Sequence, residues 1–480
     1  MTRARVMKGS IFFLLFLGVV AGCIPCHTPS SPLPVECTDL RGNVEEAFAT
    51  PSVCCGEELC GSYWEIFQDS DLSYLIEDGL KVNPDIKSAE ARIALASEEA
   101  RVARAVLYPH LFLFGGIKRV RKTKVNPDPP GGLDLYTEST LGLTNLSYEL
   151  DLWKKNRSLY YSALSEEQAQ IADWCQTRLL LASAIAQSYF ALKTNLEKIV
   201  INQGRLAARE ELYSLLDQQF RMGVINEFRL YETNGEVQEI KDLLYLLEEE
   251  SEINRHALTA LVVSPSCGAV SLPQNLGGSL SSPFPLPATL PLDLLSRRPD
   301  IVAERWRVES GLHQVQAAKA RFFPQIDLAA FVGFRSIKFS ELFSGRALDL
   351  IGEATGLLLL FTAGQLEAEL GIARTTSDLF IESYNQTLLV AIQEVSDALT
   401  QLISSDRRKE TVTLAIEDAA KLYNLTSQRY EKGIANRITV LNATENLLAQ
   451  EDLAADIELA RLISAVDLIR AIGGGYDVGR

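Results

Sequence analysis

The chain says the same thing twice. Asn83-Pro84-Asp85-Ile86 opens a stretch that closes at Leu107-Tyr108-Pro109-His110-Leu111, and Arg298-Pro299-Asp300-Ile301 opens another that closes at Phe322-Phe323-Pro324-Gln325-Ile326. Both prolines recur at an offset of 215 residues, with Arg92 matched by Arg307 and Ala103 by Ala318 between them. A later pair, Phe220-Arg-Met-Gly223-Val-Ile-Asn226 and Tyr430-Glu-Lys-Gly433-Ile-Ala-Asn436, follows at nearly the same spacing. Copies of roughly 200 residues are too long for solenoid units. They read as a duplicated half-fold, so the 480 residues form one fold of two similar halves rather than the few separate domains that length alone suggests.

Proline is missing from Gly131 to Ser264 and from Gln325 to Arg480, which suits very long helices because an interior proline costs about 3 kcal/mol. Apolar residues there step by four and three: Ile185, Tyr189, Leu192, Leu196, Ile199 in the first half, and Leu388, Ile392, Val395, Leu399, Leu402 in the second. That heptad seam predicts coiled coils. Between the proline-closed helix and the coil, each half alternates with the period of a strand. Ile326 to Phe334 pairs with Thr355 to Phe361 in one half, and Leu111 to Arg119 with Ser139 to Leu150 in the other, joined through Val125 to Gly132. One hairpin per half makes four strands. Their open edges are not tolerated in lipid, and bacterial barrels begin at about eight strands, so a barrel requires several copies of the chain.

Arg3, Arg5 and Lys8 precede a ten-residue apolar run, Ile11 to Val20, which is too short to span a bilayer and reads as an export signal. It ends Val20-Ala21-Gly22-Cys23, resembling a bacterial lipoprotein processing box, with cleavage before Cys23 and acylation of its thiol. Residues 1–22 are then the leader, 23–62 a cysteine- and proline-rich tail, 63–263 the first repeat, 264–297 a linker and 298–476 the second repeat. Six of the eight cysteines lie in the first 60 residues, where export permits disulfides. With Cys23 acylated an odd number remains there, and their pairing stays open. The formal charge of −16 speaks against nucleic acid as a partner.

Several segments carry a family resemblance: Tyr63-Trp64-Glu65-Ile66-Phe67, Tyr148-Glu-Leu-Asp-Leu-Trp153, Leu286 through Arg298-Pro299-Asp300-Ile301, Leu360-Phe-Thr-Ala-Gly-Gln365 and Ala471-Ile-Gly-Gly-Gly-Tyr476. In that order they resemble the TolC-like outer-membrane factors, in particular the OprM-type lipoprotein branch. Two departures stand where strand passes into helix: Lys154-Lys155 where glycine is expected, and Leu359 where proline is usual. The resemblance implies a mainly α protein with a β-barrel section, a homotrimer closing a 12-stranded outer-membrane barrel continued by an α-helical periplasmic tunnel. It also implies a periplasmic adaptor and an inner-membrane RND or ABC transporter as partners.

No zinc-protease, Walker, nucleophile-elbow or dinucleotide motif is present, and the expectation is a passive duct without cofactor. Lumen-facing strand positions should be polar or small, as Asp327 and Ala329 are. Counting along the coils puts the helix turns near Thr194 to Glu197 and near Ser404 to Asp406, with Gly204 as the alternative for the first. Glu197 and Asp406 are therefore the candidates for a constriction, since rings of carboxylates there favour cations. The predicted function is the exit channel of a tripartite efflux system; the alternative is the channel of a type I protein secretion system. A lipid-anchored coiled-coil tether without a pore would need no strands.

Overall fold

The computed structural model describes residues 53–55, 63–121, 135–262, 284–286 and 297–474; Cys23, the 125–132 connection and most of the tail and linker lie outside them. Among the described residues the order is β1 (Val53–Cys55), α1 (Ser70–Val82), α2 (Pro84–Ala105), β2 (His110–Arg121), β3 (Leu135–Glu149), α3 (Lys155–Arg221) and α4 (Glu227–Val262). Then come β4 (Phe284–Leu286), α5 (Pro299–Ala320), β5 (Gln325–Ser336), β6 (Leu348–Leu357), α6 (Gln365–Glu431) and α7 (Arg437–Ile472). The duplication is metrical. Helices α2 and α5 both have 22 residues, α3 and α6 both 67, and α4 and α7 both 36.

Pro84 and Pro299 take the first helical position, where the missing N–H has no partner to lose. The residue before each proline ties its repeat together. Asn83 Nδ2 donates to the Leu261 carbonyl at the end of α4 (2.8 Å), and Arg298 Nη1 to the Ala471 carbonyl at the end of α7 (3.0 Å). Arg298 also binds the Asp300 and Glu394 carboxylates, each at 2.8 Å. Burial alone would lower its pKa; the two carboxylates outweigh that and raise it.

The chain forms two compact units. Among described residues, one contains 93–121, 135–170 and 304–384; the other contains 63–92, 171–262, 297–303 and 385–474, with β1 and β4. The first unit holds an antiparallel sheet in the order β2-β3-β5-β6. Three of its strands match the expected positions. The fourth does not: β6 is Leu348–Leu357, and the apolar run expected there continues past it, with Phe361 88 % exposed. Pairing with β5 runs from Gln325↔Leu357 to Phe334↔Leu348, so register with the neighbouring strand, not hydropathy, sets where β6 ends. A short parallel pair, β1 with β4, joins the cysteine- and proline-rich tail to the linker.

The second unit is built from the long helices. Ile185, Tyr189 and Leu192 of the first seam and Leu388, Val395, Leu399 and Leu402 of the second are buried, while Leu196, Ile199 and Ile392 are half-buried. Tyr63, Trp64 and Phe67 form one buried 3₁₀ turn. Tyr63 hydroxyl meets the Ser183 hydroxyl of α3 at 3.0 Å, and burial raises its pKa to about 12.

Candidate functional site

The sheet has two unlike faces. Strand register sets Leu113, Leu143, Val332 and Leu350 in one row across all four strands, exposed by 74, 44, 49 and 67 %. Leu141, Phe334 and Leu348 form the adjoining row. An uncovered apolar area of this extent marks a surface meant for something other than water. On the opposite face Arg335 reaches Glu138 at 3.4 Å and Asp349 at 3.3 Å, Lys118 stands opposite Glu138, and Glu149, Asp327 and Glu353 continue the charged side. Asp327 and Ala329 fall on this polar face, as the alternation of the strand requires.

The polar face also shows how closely two strands approach. A Cβ on Gly142 would stand 2.5 Å from the Gly333 Cα, so neither position has room for a side chain. The Phe331 ring covers the glycine pair, and the Arg335 guanidinium lies 5.2 Å from that ring. An aromatic ring laid over strand glycines restores the contacts they lack.

Aromatic residues gather where strand meets helix. Trp153 stacks on Phe323 with centroids 4.7 Å apart, and its indole N–H donates to the Pro324 carbonyl at 2.8 Å. Lys154 follows with φ +60°, a left-handed conformation; Ala363 and Gly364 adopt it at the second copy, with φ +51° and +86°. The position where glycine was expected thus keeps glycine's backbone with a lysine side chain. Asp151 then caps α3, accepting from the amides of Asn156 (3.0 Å) and Arg157 (2.9 Å).

The helix turns do not fall where counting put them. Helix α3 runs unbroken through Thr194, Glu197 and Gly204, and α6 through Ser404 and Asp406. The chain turns instead at residues 222–226 and 432–436, within the second repeated motif. Gly223 (φ +72°) and Gly433 (φ +70°) make the same stop. Val224 N–H donates to the Gln219 carbonyl (2.9 Å) and Ile434 N–H to the Arg429 carbonyl (2.8 Å), closing the helix with a left-handed residue. Asn436 restarts the chain as N-cap of α7, accepting from the Thr439 amide. Gly204 is a packing glycine instead: a Cβ there would lie 3.3 Å from the Leu448 side chain. Met222, Val224, Phe228 and Tyr231 around the first turn are all exposed.

Neither constriction candidate therefore sits at a turn. Glu197 is exposed on an open cleft of about 560 Å³, which Lys193, Lys409, Glu451 and Glu458 also line. Asp406 is engaged: its Oδ1 accepts from Arg461 Nε at 2.9 Å, both side chains being nearly buried (7 and 6 % exposed). Sequence reasoning missed that pair and a longer ladder between α3 and α7. Gln187 bonds Asp467, Lys198 bonds Asp456, Asn202 bonds Asp452 and Arg205 bonds Glu445, all between 2.7 and 2.9 Å at their shortest. Over the first three rungs the spacing carries a signal: steps of 11 and 4 along α3 are mirrored by 11 and 4 backwards along α7, as antiparallel helices require; the fourth, 3 against 7, is not mirrored. Among the described residues no group of His, Cys, Asp or Glu has the geometry to hold a metal.

Residues 75–262 and 290–474 match the family model described as outer membrane efflux protein. The chain is 29 % identical over 476 residues to the multidrug resistance outer membrane protein MdtQ of Escherichia coli O157:H7, covering 95 % of this chain and 96 % of that one. It is 27 % identical over 468 residues to the toluene efflux pump outer membrane protein TtgC of Pseudomonas putida, covering 95 and 94 %. The crystal structure of the outer membrane protein VceC of Vibrio cholerae superposes with a TM-score of 0.76 at 27 % identity, covering 87 % of this chain and all of that one. The outer-membrane channel OprN has the same fold, with a TM-score of 0.80 at 22 % identity over 95 % of this chain and 99 % of that one.

Proposed function

The chain belongs to the outer membrane efflux protein family, and from that premise we propose that three copies join their sheets into one outer-membrane barrel and pass efflux substrates out through it. One observation carries this reading. The sheet presents an uncharged leucine-valine row on one face and an Arg335-centred charge cluster on the other, which is the lipid-out, water-in division of a membrane barrel. Within the described sheet β2 and β6 each lack a partner on one side, and lipid does not admit an unpaired edge. Neighbouring copies supply the missing partners, β6 of one against β2 of the next. Trp153 and Phe323 suit the headgroup boundary, where aromatic side chains collect.

The duct is passive and has no catalysis of its own. An inner-membrane transporter, of RND or ABC type, supplies the energy, and a periplasmic adaptor connects the two. In support, MdtQ and TtgC bear names of multidrug and toluene efflux. Cleavage after Gly22 leaves Cys23 acylated, and the lipid supplements the barrel as a membrane attachment.

Purified protein in a planar bilayer tests the proposal. It should show ohmic conductance without nucleotide. A stable trimer that never conducts would leave the tether reading. Cys23→Ser should lose its acyl chains and remain a membrane trimer; a soluble monomer would end the barrel reading.

A further inference from the structure

The four strands meet their helices at one end of the sheet and turn at the other, where β2 ends and β5 passes into β6. Alternation along each strand fixes which residues at the turn end share the apolar face. On β2 that face runs Leu113, Gly115, Ile117 and then Arg119 and Arg121, both exposed. On β6 it runs Leu348, Leu350, Gly352, Ala354 and Gly356, without a charge. Arg346, just before β6 begins, is exposed as well. None of these arginines has an ion-pair partner among the described residues. In the sequence Lys118, Arg119, Arg121, Lys122 and Lys124 follow one another without a carboxylate between them, in a chain whose formal charge is −16.

The connection between β5 and β6 leans the same way. The Phe343 ring centroid lies 6.2 Å from that of Phe334, and Phe334 belongs to the apolar face. Two 3₁₀ turns, Phe339–Glu341 and Gly345–Ala347, shape this connection. Leu342 N–H donates to the Phe339 carbonyl, Ser344 N–H to that of Glu341 and Ala347 N–H to that of Ser344. Leu342 and Ala347 are buried, yet Ile337, Phe339 and Phe343 stay 53, 65 and 68 % exposed. A connection held by its own hydrogen bonds that still presents large apolar side chains is built to meet something other than water. The fold does not demand it: the corresponding connection of the first hairpin, 122–134, contains no aromatic residue.

We propose that the turn end of the sheet binds anionic, phosphate-bearing lipid headgroups, with Arg119, Arg121 and Arg346 as the phosphate contacts and Phe339 and Phe343 seated among the acyl chains beside them. The inference rests on the barrel proposed above and names the lipid that its far rim takes. The β5–β6 ladder has ten residue pairs, from Gln325↔Leu357 to Phe334↔Leu348. At about 3.3 Å per residue and a tilt of about 40° such a ladder rises about 25 Å, the height of a barrel's apolar band. With Trp153 and Phe323 at one headgroup boundary, the turn end reaches the other, where guanidinium meets phosphate and aromatic rings collect. Joining β6 of one copy to β2 of the next brings Arg346 to the same junction as Arg119 and Arg121. Charge selects the occupant, since unpaired guanidiniums gain most from a headgroup of net negative charge.

The test melts the detergent-purified full chain with increasing phosphatidylglycerol, and with phosphatidylcholine and inorganic phosphate as comparisons. Phosphatidylglycerol should raise Tm most. A basic residue near an anionic surface is worth about fivefold in affinity, so Arg346→Gln should raise the lipid concentration for half that effect about fivefold. Arg119→Gln with Arg121→Gln should raise it further, while Lys118→Gln, on the opposite face of β2, should not move it. An effect given equally by phosphatidylcholine or inorganic phosphate, or one that survives loss of all three arginines, overturns the lipid site. Phe343→Trp reads the tip without touching a charge. In nanodiscs of acyl-brominated lipid the fluorescence it adds should be quenched, and aqueous iodide should leave it unchanged. Quenching by iodide and not by bromine places the tip in water, open to a protein partner, and overturns the proposal. A parent chain that never enters nanodiscs overturns the barrel instead.

Discussion

Arg298 donates from Nη1 to the carbonyl oxygen of Ala471, so the first residue of the second repeat holds the last turn of its final helix. Asn83 does the same for Leu261 in the first repeat, with an amide in place of a guanidinium. The two differ in what they leave behind when removed. Arg298→Ala leaves the partly exposed Asp300 and Glu394 without their shared cation and should cost more, because hydrogen bonds to charged groups contribute about 1.5–3 kcal/mol each against about 1 for neutral ones. Asn83→Ala loses neutral hydrogen bonds, to Leu261 and to the Asp85 amide, and should cost about 1–3 kcal/mol. Urea denaturation of both variants in detergent checks the order.

Lys154 is held at φ +60°, a conformation that costs a side-chain-bearing residue about 1–2 kcal/mol. Lys154→Gly should therefore raise stability by about 1 kcal/mol, less than the full strain because glycine also loosens the unfolded chain. Lys154→Val should lower it. Thermal melts of the three proteins distinguish these outcomes.

Arg461 and Asp406 predict a different asymmetry. Arg461→Ala leaves a nearly buried carboxylate alone, at a cost of about 3–5 kcal/mol. Glu197→Gln alters an exposed group and should change stability by less than about 0.5 kcal/mol. Equal losses in chemical denaturation would contradict the placement of both residues.

Asp467 gives a pH signature. Burial raises its pKa above 3.8; Arg470 and the Gln187 hydrogen bond pull the other way without cancelling the effect. A raised carboxyl pKa means the folded state prefers the protonated form, so stability present below pH 3.8 is lost as pH rises through the higher folded value. Asp467→Asn keeps an acceptor for Gln187 and should melt higher than the parent at pH 7. The difference should shrink as pH falls toward 3.8. A gap that stays constant with pH would assign the gain to something other than charge.

The architecture was legible because its signals are local and repeated: Pro84 and Pro299 at the first helical position, proline-free coils, and alternation along β2 and β5. The turns were misplaced because helix propensity does not count residues. Gly204 looked like a stop and is a contact for Leu448, while Gly223 and Gly433 stop the chain through a left-handed backbone that composition alone does not distinguish from packing. The partner of Asp406 was illegible for another reason. Arg461 lies 55 residues away, and only the register of two helices brings them together.

The matched lengths of 67 and 67, 36 and 36 residues restrict how such a protein can change size. Helix α3 is bonded along its length to both α4 and α7, and α7 in turn to α6. A heptad inserted into one of them would slide every rung beyond it out of register. The coil can be lengthened or shortened only in all four helices together, so its reach is inherited as a quantum and point mutation cannot adjust it.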